Sequence, residues 1–377
     1  MGKLLQKLLE LKASDIYPFH MPGHKRNPEY PFFKEAFGLD ITEIEGFGDL
    51  YSKEGILEEL KARAAKVYRA KRAYILVNGS TVGVLSAISA AVQKGGRILI
   101  AEEAHRSAYN AAFLKELRYD TIELPVIEPY MIGGGVSPED VEKALDRAPD
   151  TEAVFITSPT YRGIISDLDG IARVCHERGK LLIVDSAHGA YLGFEEECKK
   201  KYNADNAALS GADIIVESLH KTLPCFTQTA LMFVNSNRVD EELLGRYLSI
   251  YQTSSPSYLF MAGISACLDF LEEPGDRFKE HYREVERLRS LSAGFDRISI
   301  AGEELIGQNK VYGLDPYKFV IHHKNKSGHE LYRLFSEKYH LVCELSTPDH
   351  VLAMTSPMDT KEGFERLLRA LEETDRY

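Results

Sequence analysis

The sequence has no tryptophan and only five cysteines in 377 residues. Cys175, Cys198, Cys225, Cys267 and Cys343 are scattered, with no C-x-x-C pair and no disulfide framework. A disulfide-stapled secreted fold is thereby excluded, and a reducing, cytoplasmic setting is expected. No apolar run approaches the roughly 20 residues that span a bilayer, so no membrane association is expected. Near the start, Lys3, Lys7, Glu10 and Lys12 interrupt the leucines, which argues against a signal peptide. Positive charge is not in excess. Lys plus Arg number 46 against 57 Asp plus Glu, a net charge of −11, which excludes a general nucleic-acid binder. Internal repeats and low-complexity tracts are also missing. What is present is ordinary for a globular protein, with 44% hydrophobic residues and a length sufficient for two domains.

Leu4, Leu8 and Leu11 share one face of a short helix expected over residues 2–12, a packing helix. Residues 14–55 are irregular and rich in Pro, Gly and aromatics, and residues 58–68 read as a helix. Short apolar runs then alternate with helical patterns. Strands are expected at 73–77, 97–101, 121–124, 153–157, 181–185, 212–218 and 230–234. Helices are expected at 82–92, 105–117, 138–147 and 168–177. Such alternation predicts an α/β domain with a mostly parallel sheet. Beyond residue 255 the pattern changes to two long helices, then strands at 319–322, 341–344 and 351–354 with helices at 329–339 and 361–373. The expected division is an N-terminal segment (1–55), a large domain (56–255) and a small α+β C-terminal domain (256–377).

In open parallel sheets ligands bind beyond the carboxyl ends of the strands. The residues with chemistry fall there: Gly79, His105, Ser158, Asp185 and Lys221. Lys221, in Ser218-Leu219-His220-Lys221, follows an apolar strand and is placed to hold an aldehyde cofactor as a Schiff base, pyridoxal phosphate being the common one. Asp185 ends the preceding strand, where a carboxylate can pair with a pyridine nitrogen; its bland alternative is a loop cap. Gly79-Ser80-Thr81 opens a helix whose free N–H groups and hydroxyls suit a phosphate, or simply an N-cap by Ser80. His105 begins the next helix and is placed to stack on a cofactor ring. His188 and His220 are candidates for contact with phosphate, substrate carboxylate or a migrating proton. No C-x-x-C pair accompanies the histidines, and no metal site is expected.

Taken together, these strings resemble the ornithine/lysine/arginine decarboxylase family of pyridoxal-phosphate enzymes, of fold type I. The resemblance runs from Met21-Pro22-Gly23-His24-Lys25 through Val77–Thr81, Ala104–Ser107, Thr157–Tyr161, Asp185–Ala190 and Ser218–Leu223 to Thr253–Tyr258. It implies Lys221 as the Schiff-base lysine, Asp185 on the pyridine nitrogen, His105 on one ring face and Ala187 on the other. It implies a phosphate held by Ser80, Thr81, Ser218 and His220, and Ser254 reaching the phosphate of a neighbouring subunit, hence a homodimer with shared sites. The Pro22–Lys25 segment is expected near the substrate entrance. Two departures bear on substrate choice: Ser186 stands where many members have glutamate, and Arg162 follows Tyr161 where another residue is common. The family's larger members also carry an N-terminal receiver-like domain and a further C-terminal domain, which this sequence does not show. The expected activity is decarboxylation of lysine, ornithine or arginine. The rivals are a pyridoxal-phosphate aminotransferase or lyase, and a cofactor-binding relative without catalysis. An aminotransferase would want a small-domain arginine for the substrate carboxylate, and Arg366 and Arg369 sit among acidic neighbours that favour a solvated face.

Overall fold

The computed structural model describes residues 15, 17–19, 48–51 and 53–376. The expected packing helix at 2–12 and the Pro22–Lys25 segment lie outside the described residues. Among the described residues the largest element is a seven-stranded sheet. Its strands are β1 (Arg72–Leu76), β2 (Arg97–Ala101), β3 (Arg118–Ile122), β4 (Thr151–Thr157), β5 (Leu181–Asp185), β6 (Ile214–Ser218) and β7 (Ala230–Val234). In space they run β1-β7-β6-β5-β4-β2-β3. β7 is antiparallel to both of its neighbours, while the pairs from β6 through β3 are parallel. The sheet is thus mostly parallel, as the alternating pattern implied.

The central strands are buried on both faces, which explains their unbroken apolar sequences. One face packs against helix Gly79–Ala91, whose Gly83 lets it lie on the sheet: a Cβ there would stand 2.7 Å from Leu76 Cδ1 and 2.8 Å from Val216 Cγ1. Helix Pro138–Arg147 starts where the sequence says it should. Ser137 and Asp140 form a reciprocal capping box and Pro138 takes the first turn. A second sheet of four strands follows, in spatial order Ile298–Ile300, Lys318–His323, Val351–Met354 and Leu345–Ser346, all antiparallel. It carries helices Arg277–Ser292, Gly328–Tyr339 and Lys361–Asp375.

Several elements differ from expectation. The third strand begins at Arg118, not 121, because Glu116 takes a positive φ of 54° that ends the helix early and lets Arg118 pair with Arg97. Leu341–Cys343 does not join the four-stranded sheet. It pairs in parallel with Tyr17–Phe19, and only Leu345–Ser346 forms the sheet edge. Helix Glu241–Tyr251 was not expected, although Asp240 caps it by accepting from the Leu243 N–H at 2.9 Å. A hairpin of Val126–Ile127 with Ile132–Gly133 and a pairing of Ile164–Ile165 with Gly313–Leu314 are likewise additions.

Candidate active site

The turns that leave β1, β2, β4, β5 and β6 bring Gly79, His105, Tyr161, Asp185 and Lys221 to one edge of the sheet. Lys221 lies on the single turn Leu219–Thr222 that starts directly after β6. Its Nζ is 3.1 Å from His188 Nε2. Burial lowers the Lys221 pKa, and the charges of Asp185 and Glu344 oppose that shift. The amine is therefore more readily neutral, as a nucleophile must be.

Asp185 is buried at the end of β5, opposite Val216 of β6. Burial raises its pKa; Lys221, the Ala187 N–H at 3.1 Å and His105 all work in the other direction. His188 is held well below its usual pKa by burial first and by Lys221 next, so the ring is neutral. Its Nδ1 is buried without a partner. The Tyr161 ring meets His188 edge-on, with centroids 4.8 Å apart. The Tyr161 hydroxyl donates to Glu344, which stands between Leu341–Cys343 and Leu345–Ser346. Below Tyr161, Lys318 is fully buried and donates to the carbonyls of Thr160 and Tyr161 at 3.1 and 3.2 Å, with Asp315 at 3.9 Å. Burial lowers the Lys318 pKa and Asp315 opposes it.

His105 caps helix Arg106–Leu114, its Nδ1 accepting from the Ser107 N–H at 3.3 Å. That bond fixes Nδ1 as the acceptor and leaves the proton on Nε2. Burial lowers its pKa, and Asp185 is the main opposing influence. The capping and ring-stacking readings of His105 are compatible.

The start of helix Gly79–Ala91 has the character of an anion site. Gly79 sits at φ +78°, where glycine alone is unstrained, and its N–H donates to the Gln228 carbonyl at 2.8 Å. The N-cap is Asn78, not Ser80, and it makes no side-chain cap; Asn78 Oδ1 instead accepts from the Thr253 N–H at 3.0 Å. Ser80 is half-buried and Thr81 exposed. Across from them, Ser218 Oγ is buried with no partner, and so is Thr157 Oγ1 at the end of β4. His220 turns its Nδ1 to the Thr229 carbonyl at 2.9 Å. Ser254 is exposed, one residue beyond Thr253, which is tied to this chain's own helix start.

A family model described as Orn/Lys/Arg decarboxylase, major domain, matches residues 3–342. The chain belongs to that family. It is a family of pyridoxal-phosphate-dependent decarboxylases, and solved lysine decarboxylases share the fold described above. An arginine decarboxylase of Halalkalibacterium halodurans is 30% identical over 365 residues, covering 94% of this chain and 73% of that one. One from Bacillus subtilis is 27% identical with the same coverage. Among solved structures, the constitutive lysine decarboxylase of E. coli superposes over the whole of this chain with a TM-score of 0.74 at 19% identity, and the chain spans 61% of its length. Pyridoxamine-pyruvate aminotransferase of Mesorhizobium loti matches 97% of this chain and 93% of that one, with a TM-score of 0.70 at 18% identity. The fold is therefore shared by decarboxylases and aminotransferases.

The residues of this family member fit pyridoxal phosphate. Asp185 is a buried carboxylate for a ring nitrogen, Lys221 a half-buried amine for an aldehyde, and the uncapped helix start with the orphaned Ser218 hydroxyl suits a phosphate. Tyr161, Glu344 and Lys318 were given no role from the sequence. Two of them left a signal: Tyr161 closes the Thr157–Tyr161 string of the resemblance, and Lys318 opens the apolar run Phe319–Ile321.

Proposed function

We propose that this chain binds pyridoxal phosphate through Lys221 and decarboxylates a basic amino acid, with arginine the first candidate and lysine and ornithine the next. The observation that carries the reading is the half-buried Lys221 amine, 3.1 Å from His188 and within reach of the Asp185 charge, in a member of a decarboxylase family. The cofactor, when bound, supplies an electron sink for the bond to the departing carboxylate. Lys221 would hold it, and the burial that lowers the pKa of its amine favours the neutral form such attachment needs. Asp185 would pair with the ring nitrogen, its ionised form favoured by Lys221, the Ala187 N–H and His105. His188 Nε2 takes or returns a proton at Lys221 Nζ. Ser80, Thr81, Ser218 and the first N–H groups of helix Gly79–Ala91 would hold the phosphate, and His105 and Ala187 would flank the ring. Tyr161 and Glu344 close the cleft over His188. A homodimer with shared sites is part of the proposal.

The aminotransferase rival finds little support in the arginines named for it. Arg366 pairs with Glu362 on its own helix and donates to the Asp15 carbonyl, and Arg369 is exposed. The test is to mix purified, cofactor-loaded protein with arginine, lysine and ornithine and to follow CO2 together with the cofactor spectrum. CO2 from at least one is expected. No CO2 from any of the three, with conversion to pyridoxamine phosphate, would replace the reading with transamination. A cofactor spectrum that no amino acid changes would favour the non-catalytic alternative.

A further inference from the structure

A carboxyl group lies buried behind the site and takes no part in the chemistry above. Glu217 is fully buried on β6, one residue before Ser218. Successive strand residues point to opposite faces, so its side chain is on the far side of the sheet from Ser218. There Asn206 Nδ2 donates both to Glu217 Oε2 at 3.4 Å and to the Gly189 carbonyl at 3.3 Å. Asn206 is itself fixed, its Oδ1 accepting from the Ala208 N–H at 2.8 Å. Ser186 Oγ lies beside the same carboxyl and bears on its titration. The two are not aligned as a hydrogen bond, and Ser186 Oγ and Glu217 Oε1 are both buried without a partner. Gly189 makes room for this packing, since a Cβ there would stand 2.3 Å from Ser186 Oγ. The Tyr68 hydroxyl completes the wall by donating to the Ala190 carbonyl at 2.9 Å. The loop 185–190 thus presents Asp185 and His188 to Lys221 while Asn206, Tyr68 and the Glu217 carboxyl meet it from behind.

Among the described residues, no cation acts on Glu217. Its polar neighbours are Asn206 and Ser186, and Tyr68 stands beyond them with Cys225 and Cys267 at its back. An ionised carboxylate would have no counter-charge there. Burial pushes the Glu217 pKa up to about 8, with Asn206 and Ser186 opposing.

We propose that Glu217 is a positioning residue that works in its protonated form, filling the back of the Asp185–Ala190 loop as a neutral acid, and that loss of its proton displaces Asp185 and His188 from Lys221. The proposal rests on the cofactor-binding part of the reading above and not on the choice of substrate. Ionisation then weakens the cofactor site at alkaline pH. Glutamine is the neutral mimic of the protonated acid and should remove that weakening.

The experiment titrates pyridoxal phosphate into wild type and Glu217→Gln at neutral and alkaline pH, read by cofactor absorbance. Equal affinities are expected at about pH 7, with wild type then losing about tenfold per pH unit above its midpoint while the variant holds. Parallel loss in both proteins overturns the proposal. Asn206→Ala is the second variant. Asn206 favours the ionised form, so its removal should move the wild-type loss to higher pH, and a shift to lower pH or none overturns the proposal. If Glu217→Gln does not fold, wild type labelled with 13C at the glutamate carboxyls decides beside Asn206→Ala. One resonance titrating at about 8 is expected, and its absence overturns the proposal. No cofactor binding by wild type at any pH would sink the cofactor reading and this proposal together, whereas equal pH dependence sinks this proposal alone.

Discussion

Replacing Ser218 by alanine should change two properties in opposite directions, because one oxygen is involved in both. Ser218 Oγ is fully buried and has no hydrogen-bond partner. An unsatisfied buried hydroxyl costs about 1–3 kcal/mol, and alanine removes that cost. The cofactor-free variant is therefore expected to be more stable than wild type by about 1 kcal/mol, seen as a higher urea midpoint at unchanged slope. The loaded protein behaves differently. A hydroxyl that donates to a phosphate dianion contributes about 1.5–3 kcal/mol, so its loss should weaken cofactor binding roughly tenfold to a hundredfold. Urea unfolding of the cofactor-free proteins and absorbance titration of the cofactor give the two values separately. If Ser218→Ala lowers the midpoint, the hydroxyl already has a partner. If it leaves the affinity unchanged, the phosphate does not lie against Ser218, and the placement of the whole cofactor is wrong.

Other consequences follow from groups around the site. Lys318→Met should destabilise the protein by about 3–5 kcal/mol, since the buried Asp315 would lose its nearest cation and the Thr160 and Tyr161 carbonyls their donor; a urea midpoint equal to wild type would refute that. Gly83→Ala should cost about 1–3 kcal/mol by overpacking against Leu76 and Val216, more than the helix gains from losing a glycine; an unchanged or raised midpoint would show that the sheet yields. Stability should also depend on pH through Glu217. Its folded pKa is about 8 against an ordinary 4.5, so the folded state keeps a proton that the unfolded chain has released. The contribution is complete below the ordinary value and is lost as pH rises toward the folded one, at up to about 1.4 kcal/mol per pH unit. The stability difference between wild type and Glu217→Gln should slope across that window and flatten above it, and a constant difference would contradict the shift.

The parts of this protein legible in its sequence are those whose signals are local. The strands β2, β5 and β7 and the helices Pro138–Arg147 and Leu168–Glu177 begin and end where apolar periodicity and caps place them. Asp185 and Lys221 could be picked out because each sits at the end of an apolar run, and a parallel sheet brings such ends together. The contacts that were not legible join distant segments. Tyr161 meets Glu344 across 183 residues, and Lys318 reaches the Thr160 carbonyl across 158. No spacing rule marks such pairs. Leu341–Cys343 reads as a strand, but its partner Tyr17–Phe19 lies at the other end of the chain, so its sheet could not be assigned from pattern. Helix Glu241–Tyr251 is different. Asp240, two glutamates in the first turn and leucines at 244 and 248 were all visible, and a local signal went unread.

The central claim is that the ε-amine of Lys221 holds the cofactor. Borohydride reduction of the protein loaded with pyridoxal phosphate, followed by digestion and mass spectrometry, locates the attachment directly. The account predicts a reduced pyridoxyl group on Lys221. Lys318 is the informative competitor, a buried lysine whose pKa is also lowered by burial. The label on Lys318, or on no single lysine, would contradict the account.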